Sequence, residues 1–227
     1  MEDKLKGFKG AIFDMDGLLI DSERFSIEVY KDNFAELGFE FDPAILKKTM
    51  GANIQEGRKA LKEVFKSEEI LDKFYEMHRQ KLFSAYKNHQ IPLKKGASEL
   101  ISWLKQHDIP CALATSSPIE AVRLALDEKD VSVNDFKTII TGDEVSKCKP
   151  DPEIFLKAAD RIGVDIKDCL VFEDSLNGIR AALASRATAI LVIDMYQPTT
   201  EVREEVGNVF NSLIEVLDKI KESNEED

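Results

Sequence analysis

The chain of 227 residues is 43% hydrophobic and 33% charged, enough apolar material for one large domain with an insertion. Acidic residues outnumber basic ones, 43 to 31, and the formal charge of -12 works against nucleic-acid or anionic-membrane binding through long-range attraction, so neither partner is expected. No charged leader precedes an apolar stretch and no apolar run approaches the ~20 residues of a membrane span, which makes a cytoplasmic location the expectation.

The first element is a short apolar strand, Ala11 to Phe13, that runs straight into Asp14-Met15-Asp16-Gly17. In open α/β sheets ligands sit beyond the carboxyl ends of strands, so carboxylates delivered there suggest a metal or phosphate site. Asp and Gly are also ordinary turn residues, and this stretch alone does not decide between the two. A calcium loop is excluded, because the sixth and twelfth positions counted from Asp14 hold Leu19 and Phe25 in place of glycine and glutamate.

Ser22 is expected to cap a helix running to about Leu37, with Phe25, Val29, Phe34 and Leu37 forming its apolar stripe and Gly38 ending it. Asp42-Pro43 starts a second helix, Asn53 caps a third that reaches Phe65, and Ser67 opens a long fourth carrying Ile70, Leu71, Phe74, Tyr75, Met77 and Leu82. No strand is expected from Ser22 to about Asn88.

At Ile91-Pro92 the rhythm changes to short apolar runs alternating with helical patterns. A helix at Ala97 to Gln106 leads to a strand at Pro110 to Ala114, and Ser117-Pro118-Ile119-Glu120 reads as a capping box opening the next helix. A strand at Thr138 to Thr141, a helix capped by Asp151-Pro152, a strand at Cys169 to Phe172, a helix from Leu176 to Ser185 and a strand at Thr188 to Ile193 follow. Asn211-Ser212 caps a final helix bearing Leu213, Val216, Leu217 and Ile220, and the acidic tail from Glu222 to Asp227 is expected to fray.

This alternation predicts an α/β fold: a Rossmann-like three-layer core with a mostly parallel sheet, from residues 1–20 and 91–227, and an all-helical cap domain inserted at 21–90. Cys111, Cys148 and Cys169 form no C-x-x-C pair and are read as reduced and structural. Trp103 is read as core, and His78, His89 and His107 show no metal-ligand spacing.

A parallel sheet brings the chemically active residues to one edge: Asp14 and Asp16 after the first strand, Thr115 and Ser116 after the second, Glu173-Asp174 after another, and Lys149-Pro150-Asp151-Pro152 before a helix. Each is weak alone. Together, the segments Phe13 to Glu23, Pro110 to Ser117, Lys149 to Phe155 and Val171 to Leu183, in this order, resemble the haloacid dehalogenase superfamily, specifically its phosphatases with a helical cap after the first motif.

The resemblance implies an enzyme, a phosphatase that hydrolyses a small phosphorylated metabolite, with Mg²⁺ as cofactor. Asp14 becomes the nucleophile that forms an aspartyl-phosphate. Asp16 becomes the general acid and then base. Thr115 and the amide of Ser116 donate to the phosphoryl oxygens, and Lys149 neutralises charge shared by Asp14 and the phosphate. The metal set is Asp14, the backbone carbonyl of Asp16 and Asp174, with Glu173 as an additional ligand, direct or through water.

Gly17 is assigned to the tight turn beneath the phosphate, Asn177-Gly178 to ordinary turn chemistry, and Glu23 with the turn Met50-Gly51-Ala52-Asn53 to substrate contact from the cap. Arg24, Lys47, Lys48 and Arg58 are possible cations of that cap. Among close relatives, phosphatases including a pseudouridine 5′-phosphate group compete with a β-phosphoglucomutase-like mutase. The mutase cap grips a second phosphate with an arginine a few residues past the position of Gly51, where this chain has Ile54, leaving Arg58 as the substitute. Arg186 stands where relatives have a turn glycine. A monomer is expected, and a nonenzymatic module with a vestigial site is disfavoured because every catalytic position is filled.

Overall fold

In the computed structural model, which describes residues 5–49, 54–127 and 129–225, the chain divides into two compact units, Met1–Ile20 with Leu93–Asp227, and Asp21–Pro92. The first holds six strands: β1 (Gly10–Phe13), β2 (Cys111–Ala114), β3 (Thr138–Ile140), β4 (Cys169–Glu173), β5 (Thr188–Val192) and β6 (Val209–Phe210). They form one sheet in the order β3-β2-β1-β4-β5-β6, with every neighbouring pair parallel. β1 lies between β2 and β4, with Phe13 in register with Leu113 on one side and Phe172 on the other. β1, β2 and β4 are buried along their whole length, which is why they read as continuous apolar runs.

The second unit is helical: α1 (Ser22–Glu36), α2 (Leu46–Thr49), α3 (Ile54–Phe65) and α4 (Glu68–Lys87), with a short 3₁₀ turn at Pro43–Ile45. Its described residues contain no strand. Phe34, Phe65 and Phe74 meet at its centre with ring centroids 5.1–5.7 Å apart, and Tyr30, Leu61 and Leu71 complete the core. Ser67 caps α4 through the Ile70 amide, as its sequence position requires. Ser22, in contrast, is the first helical residue and not the cap; Asp21 holds the N-cap position and makes no side-chain cap bond. Asn53, expected to cap α3, lies outside the described residues.

The sheet is covered by α5 (Ala97–Gln106), α6 (Ile119–Ala125), α7 (Glu153–Ile162), α8 (Leu176–Ser185), α9 (Thr200–Val206) and α10 (Leu213–Glu225). Side chains alternate across the strands. Ile12, Val171 and Leu191 pack with Phe155, Ala158, Ile179 and Val206 of α7, α8 and α9, whereas Phe13 and Phe172 point the other way and stack at 4.5 Å. α5 and α10 pack on one another and against β2 and β6 respectively.

Three further differences from the sequence reading have physical causes. Residues 200–210 hold α9 and β6, which pattern alone did not reveal because Val209–Phe210 is too short to show alternation. Thr141 leaves β3 and stands at the N-cap of a 3₁₀ turn, Gly142–Glu144. Trp103 is half-buried and not core, stacked on His107 at 3.9 Å on the outer side of α5. Arg186 caps α8 in the left-handed region, at φ 71°, which explains the preference for glycine there. All three cysteines are free: Cys111 and Cys169 are buried and Cys148 is exposed. No helix among the described residues is long and apolar enough to cross a membrane.

Candidate active site

Three neighbouring strands, β2, β1 and β4, end together in polar, buried residues: Thr115 after β2, Asp14 after β1, and Glu173 at the end of β4 with Asp174 after it. Asp14 continues the ladder by donating its amide to the Phe172 carbonyl at 3.1 Å, which fixes its backbone beside the end of β4. The period of two puts its side chain on the face of Ile12, toward α7 and α8.

Lys149, from the segment before α7, reaches this point. Its ammonium donates to Asp14 Oδ1 at 2.5 Å, Glu173 Oε1 at 2.6 Å and the Ala114 carbonyl at 3.1 Å, and it lies 4.9 Å from the centre of the Phe155 ring. The side chain is only 8% exposed. Burial opposes its charge, but the two carboxylates outweigh burial and hold its pKa above the ordinary lysine value. Asp14 is pushed the other way: desolvation raises its carboxyl to about 8, with Lys149 pulling it down and Glu173 and Asp16 adding repulsion.

Glu173 is fully engaged. Beyond Lys149, its Oε2 accepts the amides of Asp174 and Ser175 at 3.1 and 3.2 Å and the Ser175 hydroxyl at 3.0 Å. Helix α8 starts against this carboxylate, and a Cβ on Gly178 would stand 1.9 Å from it. Gly178 is therefore required by close approach, a reason more specific than turn chemistry.

Carboxylate oxygens of Asp14, Glu173 and Asp174 lie within 4.8 Å of one another, all three residues buried. Ionising all three, as a bound cation would favour, sets three negative charges against the one ammonium of Lys149. Hard oxygen donors with a surplus of negative charge fit a divalent cation of the Mg²⁺ or Ca²⁺ type. Glu173, expected as an additional ligand directly or through water, offers an oxygen to that group while also holding Lys149 and the start of α8. The Asp16 side chain stands outside this carboxylate group; its expected contribution was the backbone carbonyl.

The remaining sequence candidates sort as follows. Thr115 is buried, with its hydroxyl accepting the Ser117 amide at 3.0 Å. Ser116 is exposed at the tip of the same turn. Gly17 adopts φ 79° and gives its amide to the Ile20 carbonyl at 3.0 Å, so it closes the turn and that N–H serves no phosphate here. Glu23 is carried on α1 in the helical unit. Arg58, the substitute for a second phosphate grip, pairs with Asp72 at 2.7 Å and lies over the Tyr75 ring at 5.2 Å. Lys48 lines a cavity of about 190 Å³ within the helical unit, beside Glu40, Asp42 and Glu63. The turn Met50-Gly51-Ala52-Asn53 lies outside the described residues.

Ser117 was assigned by its sequence to capping α6, and the structure corrects this. Pro118 holds the N-cap position with no side-chain cap bond, and the Ser117 hydroxyl donates to Asp16 Oδ2 at 2.7 Å. Phe155 was also missed as a partner of Lys149. The three hydroxyls in a row after β2, Thr115-Ser116-Ser117, were the available signal.

Comparison with known proteins shows the family. The haloacid dehalogenase-like hydrolase family matches residues 11–192. The chain is 31% identical over 221 residues to the bifunctional riboflavin kinase/FMN phosphatase of Arabidopsis thaliana, covering 95% of this chain but only 56% of that protein. It is 32% identical over 177 residues to the phosphorylated carbohydrates phosphatase of Thermotoga maritima, covering 77% of this chain and 80% of the relative. The crystal structure of a hydrolase from Pseudomonas syringae superposes with a TM-score of 0.77 at 27% identity, over 95% of this chain and 99% of the other.

Proposed function

The chain belongs to the haloacid dehalogenase-like hydrolases, and from that premise we propose that it is a Mg²⁺-dependent phosphatase acting on a small phosphorylated metabolite through an aspartyl-phosphate. The observation that carries this reading is the buried Asp14 carboxylate, clamped by Lys149 and set within 4.8 Å of the Glu173 and Asp174 oxygens. A surface turn gains nothing from such an arrangement, because burying charge is costly unless it is paired. The relatives named for FMN and for phosphorylated carbohydrates favour phosphate monoesters of small molecules.

Asp14 attacks phosphorus, and the bond from phosphorus to the leaving alcohol breaks as Asp16 gives that oxygen its proton. Asp16, now a carboxylate, takes a proton from water as the water attacks the aspartyl-phosphate, which releases inorganic phosphate and restores Asp14. Thr115 and the Ser116 amide donate to the phosphoryl oxygens, and Lys149 offsets charge on Asp14 and the incoming phosphate. Mg²⁺ bound by Asp14 and Asp174 would add positive charge at those oxygens when present.

Residues 21–90 serve in this reading as a cap that selects the substrate, with Glu23 and the turn from Met50 to Asn53 as contacts, and the enzyme works as a cytoplasmic monomer. The test is hydrolysis of p-nitrophenyl phosphate, followed by a panel of sugar and nucleoside monophosphates. Activity that requires Mg²⁺ and disappears with chelator supports the reading; activity that survives chelation overturns its metal requirement.

A further inference from the structure

Asp16 sits three residues past the end of β1 and is half-buried, on the loop that follows that strand. Opposite it, the turn after β2 is held from several directions. The Thr115 amide donates to Ile140 of β3 at 3.0 Å, the Ser117 amide donates to the Thr115 hydroxyl at 3.0 Å, and Gly142 packs so closely that a Cβ there would lie 2.7 Å from the Ser116 carbonyl. Ser117 is thus fixed by β2 and β3, independently of the loop that carries Asp16. Its hydroxyl is not used to cap α6 and bridges 101 residues of sequence to reach Asp16 Oδ2.

We infer that Ser117 is a positioning residue for the general acid and base: by holding one oxygen of Asp16 it sets the orientation in which the carboxyl hands a proton to the leaving group and later takes one from water. A hydroxyl suits both halves, since it donates to the carboxylate and accepts from the carboxylic acid. Through its amide on Thr115, the same serine ties the proton-transfer group to a phosphate donor, so both keep one geometry.

The inference rests on the phosphatase reading, and leaving-group chemistry separates the two. An alkyl phosphate such as glycerol phosphate needs its leaving oxygen protonated, whereas 2,4-dinitrophenyl phosphate releases a stable phenolate and barely does. For Ser117→Ala in the full chain with Mg²⁺, kcat on the alkyl ester should fall by ~10- to 100-fold, with KM little changed. On the dinitrophenyl ester the pre-steady-state burst of dinitrophenolate, which reports the first half-reaction alone, should change by less than about 3-fold, because general-acid help matters little there. Ser117→Thr should restore the alkyl rate. Ser117→Cys, which keeps the volume and offers only a weak donor, gives the same test should the alanine variant fail to fold. An equal loss in the dinitrophenolate burst, or no loss on the alkyl ester, would overturn the positioning role. A wild-type protein that hydrolyses neither ester removes the phosphatase reading and this role with it.

Discussion

The two compact units bury ionisable and polar groups by opposite means. At the sheet edge, acids are buried in pairs with lysines: Asp14 and Glu173 with Lys149, and Asp194 with Lys94 at 2.7 Å. In the helical unit the interior is aromatic, and its inward polar groups are kept neutral. His78 lies among Tyr30 and Phe74 and shares a 2.8 Å hydrogen bond with Ser26, while the ion pairs Arg58–Asp72 and Arg79–Glu76 stay at the surface, where such pairs contribute little. Buried charge thus gathers in the unit that carries the candidate site, and buried aromatic area makes the core of the helical one.

The contrast is broken most severely at Lys149. Lys149→Met leaves Asp14 and Glu173 as unneutralised carboxylates, and truncating one partner of a buried pair costs about 3–5 kcal/mol. Chemical denaturation should show that loss, together with turnover of p-nitrophenyl phosphate reduced by ~10³-fold or more, since a transition-state charge partner is gone as well. Next is Phe74→Ala, which should cost about 3–5 kcal/mol by removing a fully buried ring. Hydrogen exchange should rise in α3 and α4 while β1, β2 and β4 stay protected; equal loosening of both units would erase the distinction drawn here.

His78 sharpens the comparison through pH. Burial, with Lys81 adding to it, lowers its pKa from 6.5 to about 4. On acidification the unfolded chain takes the proton first, so stability is full above pH 6.5, falls as pH drops toward 4, and levels off below. The shift corresponds to about 3 kcal/mol, and His78→Gln should flatten urea-unfolding stability across that window. The smallest effect is expected at Asn33, which is fully buried with its Oδ1 lacking a hydrogen-bond partner. Asn33→Leu should stabilise the helical unit by about 1 kcal/mol in thermal unfolding, because an unsatisfied buried acceptor is removed.

The positions of β1 to β5 and the α5 and α8 boundaries were legible in the sequence because continuous apolar runs and helix stripes carry strong signals. Asp14, Thr115 and Asp174 stood out because polar residues follow strands at one sheet edge, and Lys149 because Lys-Pro-Asp-Pro precedes a helix. The role of Ser117 was not, since Ser-Pro-x-Glu is a cap signature and only the spatial approach of the β1 and β2 loops redirects its hydroxyl to Asp16. The engagement of Glu173 with Lys149 and the start of α8 was not legible either, because it depends on how tightly Gly178 lets that helix approach. β6 was missed for want of length.

The central claim is that Asp14 carries the phosphoryl group. Acid quenching during steady-state turnover of a phosphate ester, followed by peptide mass analysis, tests it directly. The account predicts one phosphoryl mass on the peptide containing Asp14, lost together with turnover in Asp14→Asn. A phosphoryl group trapped on another side chain, or turnover preserved in Asp14→Asn, would contradict it.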